Sequence, residues 1–143
     1  MSPEEFGQRM VELMPRLMRG IARHESNYLS KGKITLPQMW VLEHLSRSNR
    51  CPMNELARSF GISRPAATGL MDRLIAQGLA IRADDPKDRR VVRVSITPKG
   101  KRIVSNVWEE KRRTFSKVFG KISANDRTAY LKILERVVET LVD

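Results

Sequence analysis

The sequence has a single cysteine, Cys51, and its aromatic residues make up only 6% of 143 positions. One cysteine forms no internal disulfide, which argues against a disulfide-stabilised secreted domain and fits a reducing compartment. No run approaches the roughly 18 apolar residues of a membrane-spanning helix. The N-terminus also lacks the apolar segment of a secretory signal. We therefore expect a cytoplasmic protein with no membrane partner.

The motifs of common catalytic sites are also missing. The chain has no Walker A loop, no H-E-x-x-H, no G-x-S-x-G and no Cys/His pair with suggestive spacing. Its two histidines, His24 and His44, have no partner at i+4, and we expect them to be structural. Asp84, Asp85 and Asp88 lie close together, but the basic residues among them favour turn formers and salt-bridge partners over a metal cluster. We expect no enzymatic activity, no metal and no cofactor.

Acidic residues are in the minority. The chain has 27 Lys and Arg against 16 Asp and Glu, a formal net charge of +11. Residues 50–102 hold 12 of these basic residues and 5 of the acidic ones, a net of +7. A concentration of positive charge in one segment is typical of a protein that binds a polyanion.

Residues 53–77 have the pattern of two helices joined by a tight turn. Gly61 is the expected C′ residue of the first helix, because glycine enters the left-handed region without a Cβ penalty. Ser63 is expected to cap the second helix, with Pro65 in its first turn. A short helix, a turn containing glycine and a second helix together predict a helix-turn-helix.

The second helix, about Arg64 to Gln77, has two faces. Its buried face is predicted by apolar residues at i, i+3, i+4 spacing: Ala67, Leu70, Met71, Leu74 and Ile75. The other face carries Arg64, Pro65, Thr68, Gly69, Asp72 and Arg73. Glycine within a helix costs about 1 kcal/mol relative to alanine. Both plain tolerance and the close approach of a DNA groove explain Gly69 at this stage.

Residues 80–82 and 91–96 predict two strands, because β-branched residues alternate along the second of them. The connection D-D-P-K-D-R-R is rich in turn formers. A basic hairpin directly after a helix-turn-helix is a wing. The helix suits a DNA major groove, and an arginine at the hairpin tip suits the narrow, electronegative minor groove.

Four more helices are expected around this core. Ser2 to Glu5 form a capping box for a helix that continues to about Tyr28. Thr35 caps a helix from Leu36 to about Ser46. Its expected inner positions are Met39, Trp40, Leu42 and Leu45. Thr97 caps a long helix ending at Phe119 before Gly120, and a capping box at Ser123–Asp126 starts the last helix, which runs to about Leu141. The first and last helices have apolar stripes and little domain core to cover them, so we expect a partner subunit.

Several of these runs resemble the multiple-antibiotic-resistance regulator (MarR) family: S-R-P-A-A-T-G-L-M-D-R-L-I-A-Q-G-L, D-P-K-D-R-R-V-V-R-V, I-T-P-K-G and L-P-Q-M-W-V-L-E-H-L. The most specific part is Asp88-x-Arg90 followed by Val94. The likeness extends over nearly the whole chain. It implies a mainly α fold with a small β wing (α+β) in one domain, in which residues 35–97 form a winged helix-turn-helix. Residues 1–30 and 98–143 would be dimerisation helices.

The resemblance implies a homodimeric regulator, a repressor in the usual case, that binds a pseudo-palindromic operator in double-stranded DNA. A small phenolic or anionic effector would release it. Arg90, steered by Asp88, is expected to enter the minor groove, with Arg89 the competing candidate. The expected DNA-binding residues are Ser63, Arg64, Pro65, Thr68, Gly69, Arg73, Lys87, Asp88, Arg89 and Arg90. An effector cleft would be lined by Met14, Met18, Met39 and Trp40, which suit a packed core equally well.

Two alternatives concern Cys51 and the winged helix itself. The peroxide-sensing branch of the family keeps its reactive cysteine in the first helix, so Cys51 is not expected to sense oxidants. A winged helix that binds protein or RNA without operator specificity is the alternative function. The basic character of the helix-turn-helix and Asp88-x-Arg90 favour duplex DNA.

Overall fold

The computed structural model describes residues 1–24, 34–48 and 50–142. The six helices in this part of the chain are α1 (Pro3–His24), α2 (Leu36–Arg47), α3 (Met53–Ser59), α4 (Arg64–Ala76), α5 (Pro98–Phe119) and α6 (Ala124–Val142). Three strands, β1 (Cys51–Pro52), β2 (Ala80–Asp84) and β3 (Val92–Ile96), form an antiparallel sheet in the order β1-β3-β2. The fold is mainly α with a small β wing, as predicted. The expected extension of the first helix to Tyr28 lies outside the described residues.

The chain divides into two compact units. The first unit consists of Met1–Glu25 and Glu110–Asp143, and the second of Ser26–Glu109. The first unit therefore contains α1, α6 and the C-terminal part of α5. The second unit contains α2, the helix-turn-helix of α3 and α4, the sheet and the beginning of α5.

The core of the second unit confirms most of the predicted inner positions. Met39, Leu42 and Leu45 of α2 are fully buried. Trp40 was wrongly predicted to be an inner position, because its side chain is 48% exposed. Val41 is buried in its place. The rest of this core comes from all parts of the unit: Ile34, Cys51, Leu56, Met71, Leu74, Leu79, Ala80, Val94, Val104 and Val107.

The capping box predicted at α1 is present, and α2 has a capping box where the sequence predicted only a cap by Thr35. At α1, the Ser2 hydroxyl accepts a hydrogen bond from the Glu5 N–H at 3.1 Å, and the Glu5 carboxylate accepts one from the Ser2 N–H at 2.8 Å. At α2, Thr35 and Gln38 make the equivalent pair at 3.3 and 2.9 Å. Each box satisfies two backbone donors that the first helical turn leaves free.

Helices α3 and α4 end in the same backbone motif. Gly61 has φ +59°, and the Ile62 N–H reaches back to the Ala57 carbonyl at 3.1 Å. Gly78 has φ +71° and closes α4 with the equivalent bond from Leu79. These are Schellman turns, in which a glycine adopts the left-handed conformation and the last carbonyls of the helix find donors. The turn predicted at Gly61 is confirmed.

The N-terminus of α5 packs directly on the turn that ends α4. The Thr97 N–H donates to the Leu79 carbonyl at 3.0 Å, and the Thr97 hydroxyl donates to the Gly78 carbonyl at 2.7 Å. A Cβ on Gly100 would clash with the Leu79 carbonyl oxygen and lie 2.7 Å from Cγ1 of Ile96. Only glycine allows this approach, which fixes the C-terminal end of α4 against α5.

Strand β1 was not predicted from the sequence. Cys51 pairs with Val94 and Pro52 with Arg93, which places Cys51 in the core at 1% exposure. Its sulfur lies 3.6 Å from Nε2 of His44. Burial, aided by the Glu55 carboxylate, raises the pKa of the Cys51 thiol. Since the thiolate is the form that oxidants attack, this environment disfavours oxidation of Cys51.

The first unit carries a long apolar stripe on α6 that the single chain leaves uncovered. The side chains of this stripe are 40–78% exposed: Tyr130, Leu131, Leu134, Val137, Val138 and Leu141. On α1, Ile21 is buried, whereas Phe6 and Met18 are more than half exposed. A contiguous exposed apolar surface of this kind is typical of a protein–protein interface. Among the described helices, none is long and apolar enough to cross a membrane.

Candidate nucleic-acid interface

Helix α4 has the two faces that the sequence predicted. The Ser63 hydroxyl caps it by accepting the Ala66 N–H at 3.2 Å, and a proline follows in the first turn. One face packs into the core through Ala67, Met71 and Leu74, which are almost fully buried. The opposite face is exposed at Arg64, Pro65, Thr68, Asp72 and Arg73 and partly exposed at Gly69. The polar face of α4 is therefore free to contact a ligand in the single chain.

Gly69 has no packing role within the chain. A Cβ built on this glycine meets nothing within 4 Å. The backbone at Gly69 is ordinary helix, so alanine fits there without strain. Close packing inside the protein therefore does not explain the glycine. The open space above it is available to a molecule that approaches the backbone of α4.

The wing consists of β2, β3 and the connecting residues 85–91, and Asp85 organises it. This residue is only 8% exposed. Its carboxylate accepts N–H groups of Lys87 at 2.7 Å and Asp88 at 3.3 Å, and it also pairs with the Arg93 guanidinium. The Lys87 N–H, followed by Arg93, holds the pKa of Asp85 below its usual value. Asp85 is thus a turn former, as predicted, and also the centre of the loop's hydrogen bonds.

At the wing tip, Asp88 orients Arg90. One carboxylate oxygen of Asp88 accepts the Arg90 Nε–H at 3.1 Å, and the other accepts Nη2 at 3.3 Å. The Arg90 side chain is nevertheless 89% exposed. Its guanidinium lowers the pKa of Asp88. Arg89 is also exposed, and within the described residues its side chain has no ion-pair partner.

The ionised carboxylates of Asp85 and Asp88 make a pH-dependent contribution to the stability of the wing. Both pKa values are lowered in the folded chain. A carboxylate with a lowered pKa stabilises the fold fully above its unfolded pKa, which is about 3.9 for aspartate. That stabilisation is lost as the pH falls through the folded pKa. The contribution of these two carboxylates is therefore complete at neutral pH and declines below about pH 4.

One groove, here called the helix–wing groove, brings the start of α4 and the wing together. Its wall on α4 contains Arg64 and Thr68, and its wall on the wing contains Arg82 and Arg90. The remaining lining residues are Pro52, Met53, Asn54, Val91 and Val92. Three arginine residues therefore line one groove. The predicted residues Arg73, Lys87 and Arg89 are exposed but do not line it.

The sequence did not single out Arg82, which lies in strand β2. Its Nη2 donates to Oδ1 of Asp72 at 2.7 Å, which ties the wing to α4. The sequence placed Asp72 on the outer face of α4. It did not predict the pairing with Arg82, which lies ten residues further along the chain. The sequence held one signal for this position. Side chains alternate between the two faces of a strand, so Arg82 lies on the same face as Ala80.

The four residues expected to line an effector cleft are divided between the two units, with Met14 and Met18 in the first and Met39 and Trp40 in the second. Met14 and Met18 line an apolar groove of about 660 Å³ within the first unit. The other residues of this groove are Leu17, Ile21, Lys111, Phe115, Phe119, Arg127, Tyr130, Leu131 and Leu134. Met39 is fully buried in the core of the second unit, and Trp40 beside it is half exposed. In the described part of the chain, no group of three or more His, Cys, Asp or Glu side chains could hold a metal ion.

A helix-turn-helix followed by a basic two-stranded wing defines a winged helix-turn-helix DNA-binding protein. The MarR family profile matches residues 33–91. The chain is 30% identical over 109 residues to YfiV of Bacillus subtilis, an uncharacterized HTH-type transcriptional regulator, and the match covers 74% of this chain and 68% of that protein. The chain therefore belongs to the MarR family of DNA-binding transcriptional regulators, as its sequence motifs indicated.

Solved structures agree with this fold. A MarR family protein from Bacillus stearothermophilus matches with a TM-score of 0.85 over the full length of both chains, at 22% sequence identity. BpsR of Bordetella bronchiseptica is 26% identical, with a TM-score of 0.65 over 91% of this chain and 98% of BpsR. DNA binding by BpsR is regulated by 6-hydroxynicotinic acid.

Proposed function

We propose that this chain is a cytoplasmic, homodimeric repressor that binds a pseudo-palindromic operator in duplex DNA and is released by a small anionic or phenolic molecule. It acts by binding and catalyses no reaction. The observation that carries the proposal is the helix–wing groove. There the exposed face of α4 and the arginine held by Asp88 open on the same space. A recognition helix beside a basic wing fits DNA whose major groove takes the helix and whose adjoining minor groove takes the wing.

Within the major groove, the first turns of α4 supply the base-reading groups. Arg64 can donate two hydrogen bonds to O6 and N7 of guanine, the commonest specific contact. Pro65 and Thr68 offer apolar contact to a thymine methyl group. The Ser63 hydroxyl oxygen accepts the Ala66 N–H in the helix cap, and its hydroxyl hydrogen can still donate to a base or a phosphate. Arg73, Lys87 and Arg89 are exposed cations suited to backbone phosphates.

The apolar stripe on α6 supports the homodimer. Six large apolar side chains exposed along one helix would be costly in water, and a second copy of the same helix would cover them. A two-fold dimer places two recognition helices on one face of DNA. If they lie about 34 Å apart, they reach successive major grooves, and the operator is a pseudo-palindrome.

The groove that contains Met14 and Met18 is the proposed effector site, and it adjoins the proposed dimer interface because Tyr130, Leu131 and Leu134 of the α6 stripe also line it. Its volume is suited to a small organic molecule, and Phe115, Phe119 and Tyr130 give it aromatic walls. Lys111 and Arg127 supply positive charge at its edge. An aromatic acid regulates the relative BpsR. Such a ligand releases DNA only if it binds the DNA-incompetent state more tightly.

Fluorescence anisotropy tests the proposed DNA binding. The labelled probes are a duplex from the chain's own promoter region, an unrelated duplex of the same length and a structured RNA. We expect the promoter duplex to bind at least about a thousandfold more tightly than the unrelated duplex, the lower end for specific DNA binders. Equal affinity for all three probes, or preference for the RNA, would support the alternative function instead.

Replacing Arg90 by Ala should weaken promoter binding by about 1–3 kcal/mol, the range for a lost specific DNA contact. The reason is that Asp88 holds the Arg90 guanidinium in an exposed, fixed orientation. Titration at fixed salt measures the effect. The matched control is Arg89→Ala, which removes the same charge from the next residue and should cost less. A larger loss in the Arg89 variant would reassign the minor-groove contact to Arg89.

Replacing Gly69 by Ala should separate folding from DNA binding. The new methyl group meets open space in the chain, so the variant should gain up to about 1 kcal/mol in unfolding free energy from helix propensity. Its promoter affinity should fall, because the methyl group occupies the surface that faces the DNA. Thermal melting and anisotropy measure the two effects. Unchanged affinity would mean that Gly69 is merely tolerated.

A further inference from the structure

Arg82 lies at an unusual place for a charged residue. In the register of the sheet it is directly opposite Val94, and residues opposite each other in an antiparallel pair lie on the same face. Val94 is fully buried in the core, as is Ala80 two residues before Arg82. The Arg82 side chain therefore leaves the sheet on its core-facing side and is 41% exposed where it emerges. Asp72 of α4, whose side chain is also largely exposed, pairs with it at 2.7 Å.

The pairing with Asp72 uses only part of the hydrogen-bonding capacity of Arg82. A guanidinium has five N–H donors, and a single nitrogen, Nη2, donates to Asp72. Among the described residues, Arg82 has no second acceptor. Arg82 lines the helix–wing groove together with Arg64 and Arg90. The ion pair thus holds the head of Arg82 in place and leaves it able to bind an anion.

The position of this groove identifies the anion. When a helix occupies the major groove and a wing the adjoining minor groove, the DNA strand that separates the two grooves must pass between helix and wing. Its phosphates then face the helix–wing groove. The planar guanidinium fork fits phosphate oxygens, and a charge-assisted contact of this kind is stronger than a neutral hydrogen bond.

We infer that Arg82, held by Asp72, binds a backbone phosphate of the DNA strand that crosses between α4 and the wing. This contact rests on the proposed DNA binding and adds a residue that fixes register without reading sequence. This pairing also explains why an acidic residue, Asp72, is acceptable on a surface that faces a polyanion, because Arg82 offsets its negative charge.

The test is the salt dependence of binding by the full chain with Arg82→Gln. Each phosphate contact contributes about 0.9 to the slope of log affinity against log salt on duplex DNA. The variant should show a slope shallower by about this amount, with the same fold loss on the promoter duplex and on an unrelated duplex. Arg9→Gln, which removes one exposed cation from α1, is the matched control and should keep the native slope.

A second variant separates phosphate binding from charge balance and from folding. The double variant Asp72→Asn, Arg82→Gln removes both charges of the ion pair. The net charge therefore stays at +11, and neither residue is left as a charge without its partner. Its slope should still be shallower by about 0.9. A native slope in this pair would mean that Arg82 only neutralises Asp72, and a loss confined to the promoter duplex would make Arg82 a base-reading residue. Either result overturns the inference. If the native chain itself binds duplex DNA without salt dependence, the proposed function fails instead.

Discussion

Replacing Leu134 by Arg is expected to produce a monomer that binds the promoter duplex about a hundredfold more weakly, the lower end of the gain from linking two binding sites. Leu134 lies within the exposed apolar stripe of α6. In the proposed dimer a guanidinium at this position would be buried without a partner, which costs far more than the interface gains from one side chain. Sedimentation equilibrium measures the oligomeric state, and anisotropy measures the affinity.

Glu135→Arg is the control for this change. It places the same side chain on the next residue of α6, outside the apolar stripe, and that variant should remain dimeric. Circular dichroism should show equal helix content for both variants, because Leu134 is not part of a buried core in the single chain. A Leu134→Arg protein that stays dimeric and binds DNA normally would show that this stripe is not the dimer interface.

Replacing Gly100 by Ala should destabilise the fold by about 2 kcal/mol, within the range of overpacked sites. Alanine gains up to about 1 kcal/mol over glycine in helix propensity, but this gain is smaller than the cost of the clash. The methyl group would overlap the Leu79 carbonyl oxygen, which belongs to the backbone and cannot rotate away as a side chain could. Chemical denaturation measures the change in unfolding free energy.

The same variant should also bind the promoter duplex more weakly. The Leu79 carbonyl belongs to the turn that ends α4, and Thr97 donates to that carbonyl. Relieving the clash therefore moves the C-terminal end of the recognition helix. Gly7→Ala is the control, since its Cβ meets nothing within 4 Å. If Gly100→Ala is as stable as the native chain and binds DNA equally well, the contact between α4 and α5 does not position the recognition helix.

The sequence predicted those features of the fold that depend on residues close together in the chain. The caps at Ser2, Thr35 and Ser63 follow from hydroxyl groups three residues before free backbone donors. The turn at Gly61 follows from the freedom of glycine to adopt positive φ. The pairing of Asp88 with Arg90 spans two residues and was expected from the resemblance of Asp88-x-Arg90 to the MarR family. Each of these interactions is local, so the local sequence was sufficient.

The features that the sequence did not reveal depend on contacts between distant segments. Strand β1 has two residues, too few for any periodicity, and exists because Cys51 pairs with Val94. Trp40 was predicted to be an inner position of α2, but Val41 is the buried residue instead. The position of Arg82 at the helix–wing groove depends on the register of β2 with β3 and on Asp72, which no local pattern encodes.

Hydroxyl-radical footprinting of the promoter duplex tests most directly whether two copies of α4 and the wing bind adjoining grooves. We expect protected segments on one face of the DNA, repeating at intervals of about one helical turn, near 10 base pairs. In the Arg90→Ala variant the minor-groove protection should disappear while the spacing of the remaining segments stays the same. Protection of a single segment, or continuous protection without a helical repeat, would contradict binding by a dimer of winged helices.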